Sequence, residues 1–312
     1  MKRISLLLMS LMATALLLTS CEKASFDETP TPVKPQPEEN RDDLITLTFT
    51  VTQIESAAFA NTNEHSRAAA VGEVCSRVNL ALYKPDGERV KMINQKSDDA
   101  NFGQISFTVA AGTYRLVVLA HSCDGNATTT ALNKITFPNN KVTDTFYYST
   151  EFSATSDLSQ QLVLRRITAM VRLVVKDAIP ENVKRMKFYY TGGSSTLDGA
   201  TGLGCVNSKQ TEYRDVSAAE RNGGATFEVY TMPHDVSGQL KLTVSALDAA
   251  DNVVKELVLD EVPVSVNTIS EYTGSLFTSD SGGDGKGDGG SEAPGFTLMV
   301  EEKWETVNSY SF

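Results

Sequence analysis

The sequence predicts an all-β fold arranged as two successive runs of short strands. Two observations carry this. From residue 44 onward, apolar residues recur at every second position, the period of a strand with one face on a core. Turn-forming residues break the pattern at short intervals, as in sandwiches and barrels rather than in alternating helix–strand folds. Helical patterning is confined to two short stretches, 66–74 and 215–222.

The first run starts with LITLTFTV, 44–51, which sets Ile45, Leu47, Phe49 and Val51 against Leu44, Thr46, Thr48 and Thr50. Residues 77–90 place Val78, Leu80 and Leu82 on one face. Pro85-Asp86-Gly87 then supplies a turn: proline fixes φ, aspartate bonds its own backbone and glycine accepts positive φ. Two more strands, 104–109 and 113–120, flank Ala110-Ala111-Gly112. The second contains LVVLA, continuously apolar as a central sandwich strand can be. Segments 134–137 and 143–154 are expected at sheet edges. Together these make a first domain at 43–156.

A second domain, 157–279, repeats the habit. Residues 161–177 read as two strands, or as one long strand bent or bulged near Arg165-Arg166. Strands follow at 186–192, 225–233, 239–247 and 253–259. Between them TGGSSTLDGATGLG, 191–204, is a long turn-forming segment. It lacks the Lys-Ser/Thr pair of a phosphate loop and reads as a surface loop or an interdomain contact. A Gly/Asp-rich linker, 280–295, carries Asp280, Asp284 and Asp288 but not the full ligand pattern of a calcium loop. It leads to a last strand segment, 296–312, free to pair with its own sheet or with a neighbour's edge.

The N-terminus carries an address. Lys2 and Arg3 precede an apolar run from Ile4 to Leu18, shorter than the roughly 20 residues a spanning helix needs. Residues 1–20 therefore read as a cleaved export signal. Leu18-Thr19-Ser20-Cys21 resembles the bacterial lipobox, in which the cysteine is acylated and opens the mature chain. That makes Cys21 the lipidation site; one acyl chain holds marginally, several hold firmly. Residues 21–42 are polar and proline-rich and form a disordered tether.

The formal charge is −11 and becomes more negative once Lys2 and Arg3 leave. Such a body repels nucleic acid and anionic lipid. Of the four cysteines, Cys75 and Cys123 are candidates for a disulfide in an oxidising exterior compartment, and Cys205 is left over as a buried or inert thiol. His65, His121 and His234 are scattered, so no metal site is expected. His121-Ser122-Cys123 reads as a strand end and turn, because adjacency in sequence is not catalytic geometry. No cofactor site and no catalytic constellation emerge, and an enzyme is not expected. Tyr147/Tyr148 and Tyr189/Tyr190 are adjacent in strands and point to opposite faces, so neither pair is a ready sugar platform.

Several segments resemble the FimB/Mfa2 family of fimbrial subunits from Bacteroidales, the anchor branch of type V pili. They are CSRVNLALYKPDGE (75–88), FGQISFTVAAGTYRLVVLAHS (102–122), TDTFYYS (143–149), LRRITAMVRLVVKDAIP (164–180), FYYTGGSSTLDGATGLG (188–204) and YTMP (230–233). The resemblance implies two transthyretin-like β-sandwich domains in tandem on a lipidated N-terminus at the outer membrane. It implies partners among fimbrial shaft or accessory pilin subunits, and a role in anchoring a fimbria or regulating its assembly. Shaft subunits of such fimbriae are held to lose an N-terminal strand to proteolysis and then to exchange strands. Arg67, in HSRAAA, lies where a trypsin-like protease would cut, although an anchor is expected to stay intact. The alternative is a surface lipoprotein that binds a glycan or a host protein.

Overall fold

The computed structural model describes residues 44–54, 69–278 and 296–301. The fold is all-β. Its first half contains β1 (Leu44–Ile54), a short helix α1 (Val71–Val74), β2 (Arg77–Tyr83), β3 (Arg89–Lys96), β4 (Gln104–Ala110) and β5 (Gly112–His121). β6 (Thr128–Ala131), β7 (Lys134–Thr136), β8 (Thr145–Ala154) and β9 (Leu158–Arg166) complete it.

These strands, apart from β6 and β7, form a seven-stranded sheet in the order β3-β2-β5-β8-β9-β1-β4. β8 and β9 meet only at Phe146–Arg166 and Tyr147–Arg165, so the sheet is two ladders joined at a corner. Alternation on β1 works as the sequence predicts: Ile45, Leu47, Phe49 and Val51 face one core together with Val78, Leu80, Leu82, Leu116 and Val118 from the other ladder. Fully burying such a side chain contributes about 1.5–3 kcal/mol. The Phe49 ring stands edge-on to Phe152 and packs beside Phe107.

The second half begins with β10 (Ala169–Val175) and β11 (Arg185–Gly193), then β12 (Thr196–Asp198), β13 (Leu203–Gly204), β14 (Ser208–Asp215) and β15 (Ala225–Thr231). β16 (Ser237–Leu247), β17 (Val253–Ser265), β18 (Ile269–Gly274) and β19 (Phe296–Glu301) follow. Two four-stranded sheets, β15-β10-β18-β19 and β14-β11-β16-β17, close over a separate core that includes Phe188, Tyr190, Phe227 and Val244.

The two halves share one topology. β4-β1-β9 matches β15-β10-β18, with an antiparallel pair on one side of the middle strand and a parallel pair on the other. β3-β2-β5-β8 matches β14-β11-β16-β17. β19 is an addition, antiparallel along the whole of β18. The last strand segment thus pairs with its own sheet over residues 296–301.

Two expectations are revised here. β9 was expected to open the second half, but it lies parallel to β1 and sends Leu162 and Leu164 into the first core. The halves therefore part at Ile167-Thr168, where the chain bends after Arg166. β8, expected at an edge, lies between β5 and β9. Its run of aromatic and β-branched residues suits that central position.

A third layer joins the halves. β6 and β7 from the first half and β12 and β13 from the second make one small sheet, β13-β12-β7-β6, through the pairs Thr196–Thr136 and Leu197–Ile135. Beneath it Ala81, Tyr83, Val117, Leu119, Ile135, Phe137, Tyr147, Ile167, Leu197 and Met232 form a junction core. This explains LVVLA in β5: Leu116, Val118 and Ala120 enter the first core while Val117 and Leu119 enter the junction. The glycine-rich segment 191–204 is an interdomain-type contact and not a surface loop. Two of its glycines are required by close approach: a Cβ on Gly202 (φ +78°) would stand 2.8 Å from the Tyr147 ring, and one on Gly199 would stand 2.8 Å from Ile135 Cδ1.

Candidate functional site

Cys21 and Arg67 lie outside the described residues. Cys75 and Cys123 are free thiols, and the disulfide expected between them is not formed. Cys75 lies just before β2 and Cys123 just after β5, and the two belong to different cores. Cys75 packs with Val78 and Leu80 in the first core, while Cys123 packs with Ala81 and Val117 in the junction core. Burial pushes both thiols above their ordinary range. Cys205 is exposed, so of the expectation that it is buried or inert the first alternative does not hold.

His121 closes β5 and is fully buried. The Cys123 N–H donates to its Nδ1 at 3.1 Å, which leaves the proton on Nε2, 2.7 Å from Asn79 Oδ1. Asn79 Oδ1 also accepts from the Ala127 N–H, and Asn79 Nδ2 donates to Asn94 Oδ1. Burial, with Arg77 nearby, lowers the His121 pKa to about 4. The imidazole is thus a neutral structural post under the turn to β6, as the strand-end reading of His121-Ser122-Cys123 anticipates. Among the described residues no group of three or more His, Cys, Asp or Glu is placed to hold a metal ion.

The charged centre of the molecule is at the crossing between halves. Arg166 Nε and Nη2 donate to Asp144 Oδ1 and Oδ2 at 2.7 and 2.8 Å, a bidentate pair, and Nη1 donates to Asn267 Oδ1 at 3.1 Å. The guanidinium lies 4.7 Å over the Phe146 ring. Thr168 donates its hydroxyl to Asp144, and the Asn267 N–H donates to the Thr168 carbonyl. Burial raises the Asp144 pKa against the pull of Arg166, and lowers that of Arg166 against the pull of Asp144. Both shifts have the sign of a pair whose desolvation is costly.

Sheet edges are the other candidate. Most carry devices that block pairing with another chain. β3 carries Arg89, Lys91 and Lys96; β14 carries Lys209, Arg214 and Asp215. β17 carries Lys255, Glu256, Asp260 and Glu261, one proline and two register shifts. β15 is plugged from within. Arg214 donates to the Glu228 carbonyl through Nε and Nη2 at 3.1 and 2.7 Å, and the Tyr190 hydroxyl lies 2.8 Å from the Tyr230 carbonyl.

β4 holds the matching position in the first half and differs. Its sequence, QISFTVA, has no charge and no proline. Its ends are closed: Gln95 reaches the Gln104 carbonyl and the Gly103 N–H, and the Tyr114 hydroxyl donates to the Ala110 carbonyl at 2.8 Å. Val51 bonds the Gly103 carbonyl, so strict antiparallel alternation turns the main-chain groups of Ser106 and Thr108 away from β1. Among the described residues these groups have no main-chain or side-chain partner across the edge. Lys91 of β3 lies 5.7 Å over the neighbouring Phe107 ring.

A family model described as fimbrillin-A associated anchor proteins Mfa1 and Mfa2 matches residues 43–307. The chain belongs to this family. The match spans both halves and β19. The solved structures to which the chain shows similarity include a candidate adhesin of Bacteroides ovatus, 12% identical, covering 75% of this chain and 91% of its own, TM-score 0.48. The fimbrial anchor protein Mfa2 of Porphyromonas gingivalis is 10% identical, with coverages of 82% and 97% and a TM-score of 0.43. A fimbrial assembly protein of Parabacteroides distasonis is 11% identical, with coverages of 83% and 94% and a TM-score of 0.37. No curated protein matches.

Sequence reasoning missed three elements of this site. Arg166 reads as a bend but not as an ion-pair partner, because Asp144 and Asn267 are remote in sequence. Arg214 and Tyr190 as edge plugs carry no local signal. The bare edge of β4 is visible in QISFTVA only once the charged neighbours of the other edges are known.

Proposed function

We propose that this chain is a non-catalytic, lipid-anchored fimbrial subunit that fixes a surface fimbria to the outer membrane or regulates its assembly. Cys21 carries the lipid, 21–42 is the tether, and the two halves are tandem sandwich domains displayed above the membrane. Family membership over residues 43–307 is the observation that carries this reading. The edge of β4 supports a binding mode: an extended segment of a partner pilin subunit adds to Ser106 and Thr108 through main-chain hydrogen bonds, as in strand augmentation. Arg67 remains uncut in an anchor of this kind.

The test is made on cell envelopes. Tagged wild type, Cys21→Ala and Thr108→Pro are expressed with a clickable fatty acid and extracted in mild detergent. Labelled wild type that co-purifies with a shaft pilin, together with an unlabelled Cys21→Ala that sheds fibres into the medium, is the expected result. Thr108→Pro stays labelled and loses the pilin, because proline removes an edge donor. Labelled wild type without any pilin would transfer the reading to a surface adhesin for a glycan or host protein. Absence of label would make residues 1–20 an ordinary signal.

A further inference from the structure

Among the described residues the chain passes between the halves at Ile167 and Thr168. Contacts from both halves converge there on Arg166. Asp144, on the first half, accepts from Nε and Nη2; the Phe146 ring lies under the guanidinium; Asn267, in the turn between β17 and β18, accepts from Nη1. Asn267 has φ +60° and is itself tied to Thr168, so the turn is held in a conformation that aims its side chain at Arg166.

Next to Arg166 the packed apolar side chains are Ile167, Met170, Tyr230 and Ile269; the other directional bonds between the halves, the β7–β12 pair and Tyr147–Gly199, lie at the small sheet. Apolar burial is non-directional and tolerates rotation of one surface on another. A planar fork bonded on two sides does not, because its hydrogen bonds fail steeply with angle. We propose that Arg166 is a positioning residue that fixes the orientation of the second half on the first, the surrounding cluster supplying adhesion but not direction. This inference is independent of the fimbrial reading.

The experiment measures the angle directly. Nitroxide labels are placed at Ser153→Cys and Lys255→Cys, both exposed positions on different halves, in the full-length chain carrying Cys21→Ser and Cys205→Ser. Distances are read by pulsed electron resonance in three backgrounds: wild type, Arg166→Lys, and the double variant Asp144→Leu/Arg166→Met. The expected result is one narrow distance in wild type, and a broadened or split distribution in both variants while each still unfolds cooperatively. A narrow distribution at the wild-type distance in the double variant would overturn the proposal, since the apolar cluster and the β7–β12 pair would then suffice to set direction. Failure of both variants to fold would overturn it too, making Arg166 a determinant of folding and not of orientation.

Discussion

The Tyr147 hydroxyl on β8 donates to the Gly199 carbonyl at 2.8 Å, a hydrogen bond between the two halves inside the junction core. The Gly202 backbone lies against the same ring. Tyr147→Phe leaves a buried carbonyl unpaired and is expected to destabilise the chain by about 1–3 kcal/mol. Gly202→Val combines positive φ with a clash against the ring and should cost more. Urea unfolding of the two variants measures both, and equal midpoints to wild type would show that the segment 191–204 is not held at Tyr147.

His121 predicts an acid-side loss of stability. Burial lowers its pKa from the ordinary 6.5 to about 4 on folding, so the unfolded chain binds more protons between those values. Stability from this group is complete above pH 6.5 and declines as the pH falls toward 4, by about 3 kcal/mol in all. The groups that face the ring are Arg77, Asn79, Cys123 and Phe137. His121→Gln, measured by denaturant unfolding at pH 7, 5.5 and 4.5, should show a flatter dependence than wild type. Superimposable slopes would remove His121 as the cause.

The Asp144–Arg166 pair predicts strong non-additivity. Arg166→Met alone strands a buried carboxylate and is expected to cost about 3–5 kcal/mol, whereas replacing both partners with apolar residues is near neutral. A double-mutant cycle in urea measures the coupling. Additive single effects would place the pair outside the low-dielectric interior that its 1% and 17% side-chain exposures indicate.

Asp177 predicts a local effect. Its carboxylate accepts the Leu276, Phe277 and Thr278 N–H groups at 2.9, 2.6 and 2.7 Å, and also the Thr278 hydroxyl. Its burial opposes these bonds, but the bonds prevail and hold its pKa below the ordinary value. The anchoring is therefore present above the ordinary aspartate range and is lost as the pH falls through the lowered value. Asp177→Ala should speed amide hydrogen exchange at 276–278 at neutral pH while leaving β10 protected. Unchanged exchange would mean that the segment is held by packing of Leu276.

Much of this fold is legible in single strands and little of it in their pairings. Period-two alternation locates β1, β4 and β15, because each has one face on a core and the other more open to water, whereas β2 is buried on both faces. β3 and β14 carry polar residues on both faces as edge strands, so periodicity is silent there. Inside β14 the buried Glu212 is satisfied by Tyr190 and Arg214, an arrangement that no hydrophobic pattern announces. The bend at Arg165-Arg166 is visible, but its meaning depends on Asp144 and Asn267, 22 and 101 residues away. The segment 191–204 shows its glycines plainly; that they make room for Tyr147 and Ile135 is a tertiary fact. Cys75 and Cys123 invite pairing by number and compartment, yet they are free thiols in two different cores.

The shared strand order of the halves has a limit built into it. On the first copy the outer surface of the β2–β5 ladder is apolar, with Ala81, Tyr83, Val117 and Leu119, and the second copy reaches over it through β12. The corresponding surface of the second copy, on β11, β14 and β16, presents Lys187, Tyr189, Thr211, Tyr213 and Thr243 to water. Apolar surface there is limited to scattered side chains such as Tyr189, Tyr213 and Val258. The two copies thus use one sheet face differently: in the first it is the seat of the junction, and in the second it is a more polar surface facing solvent.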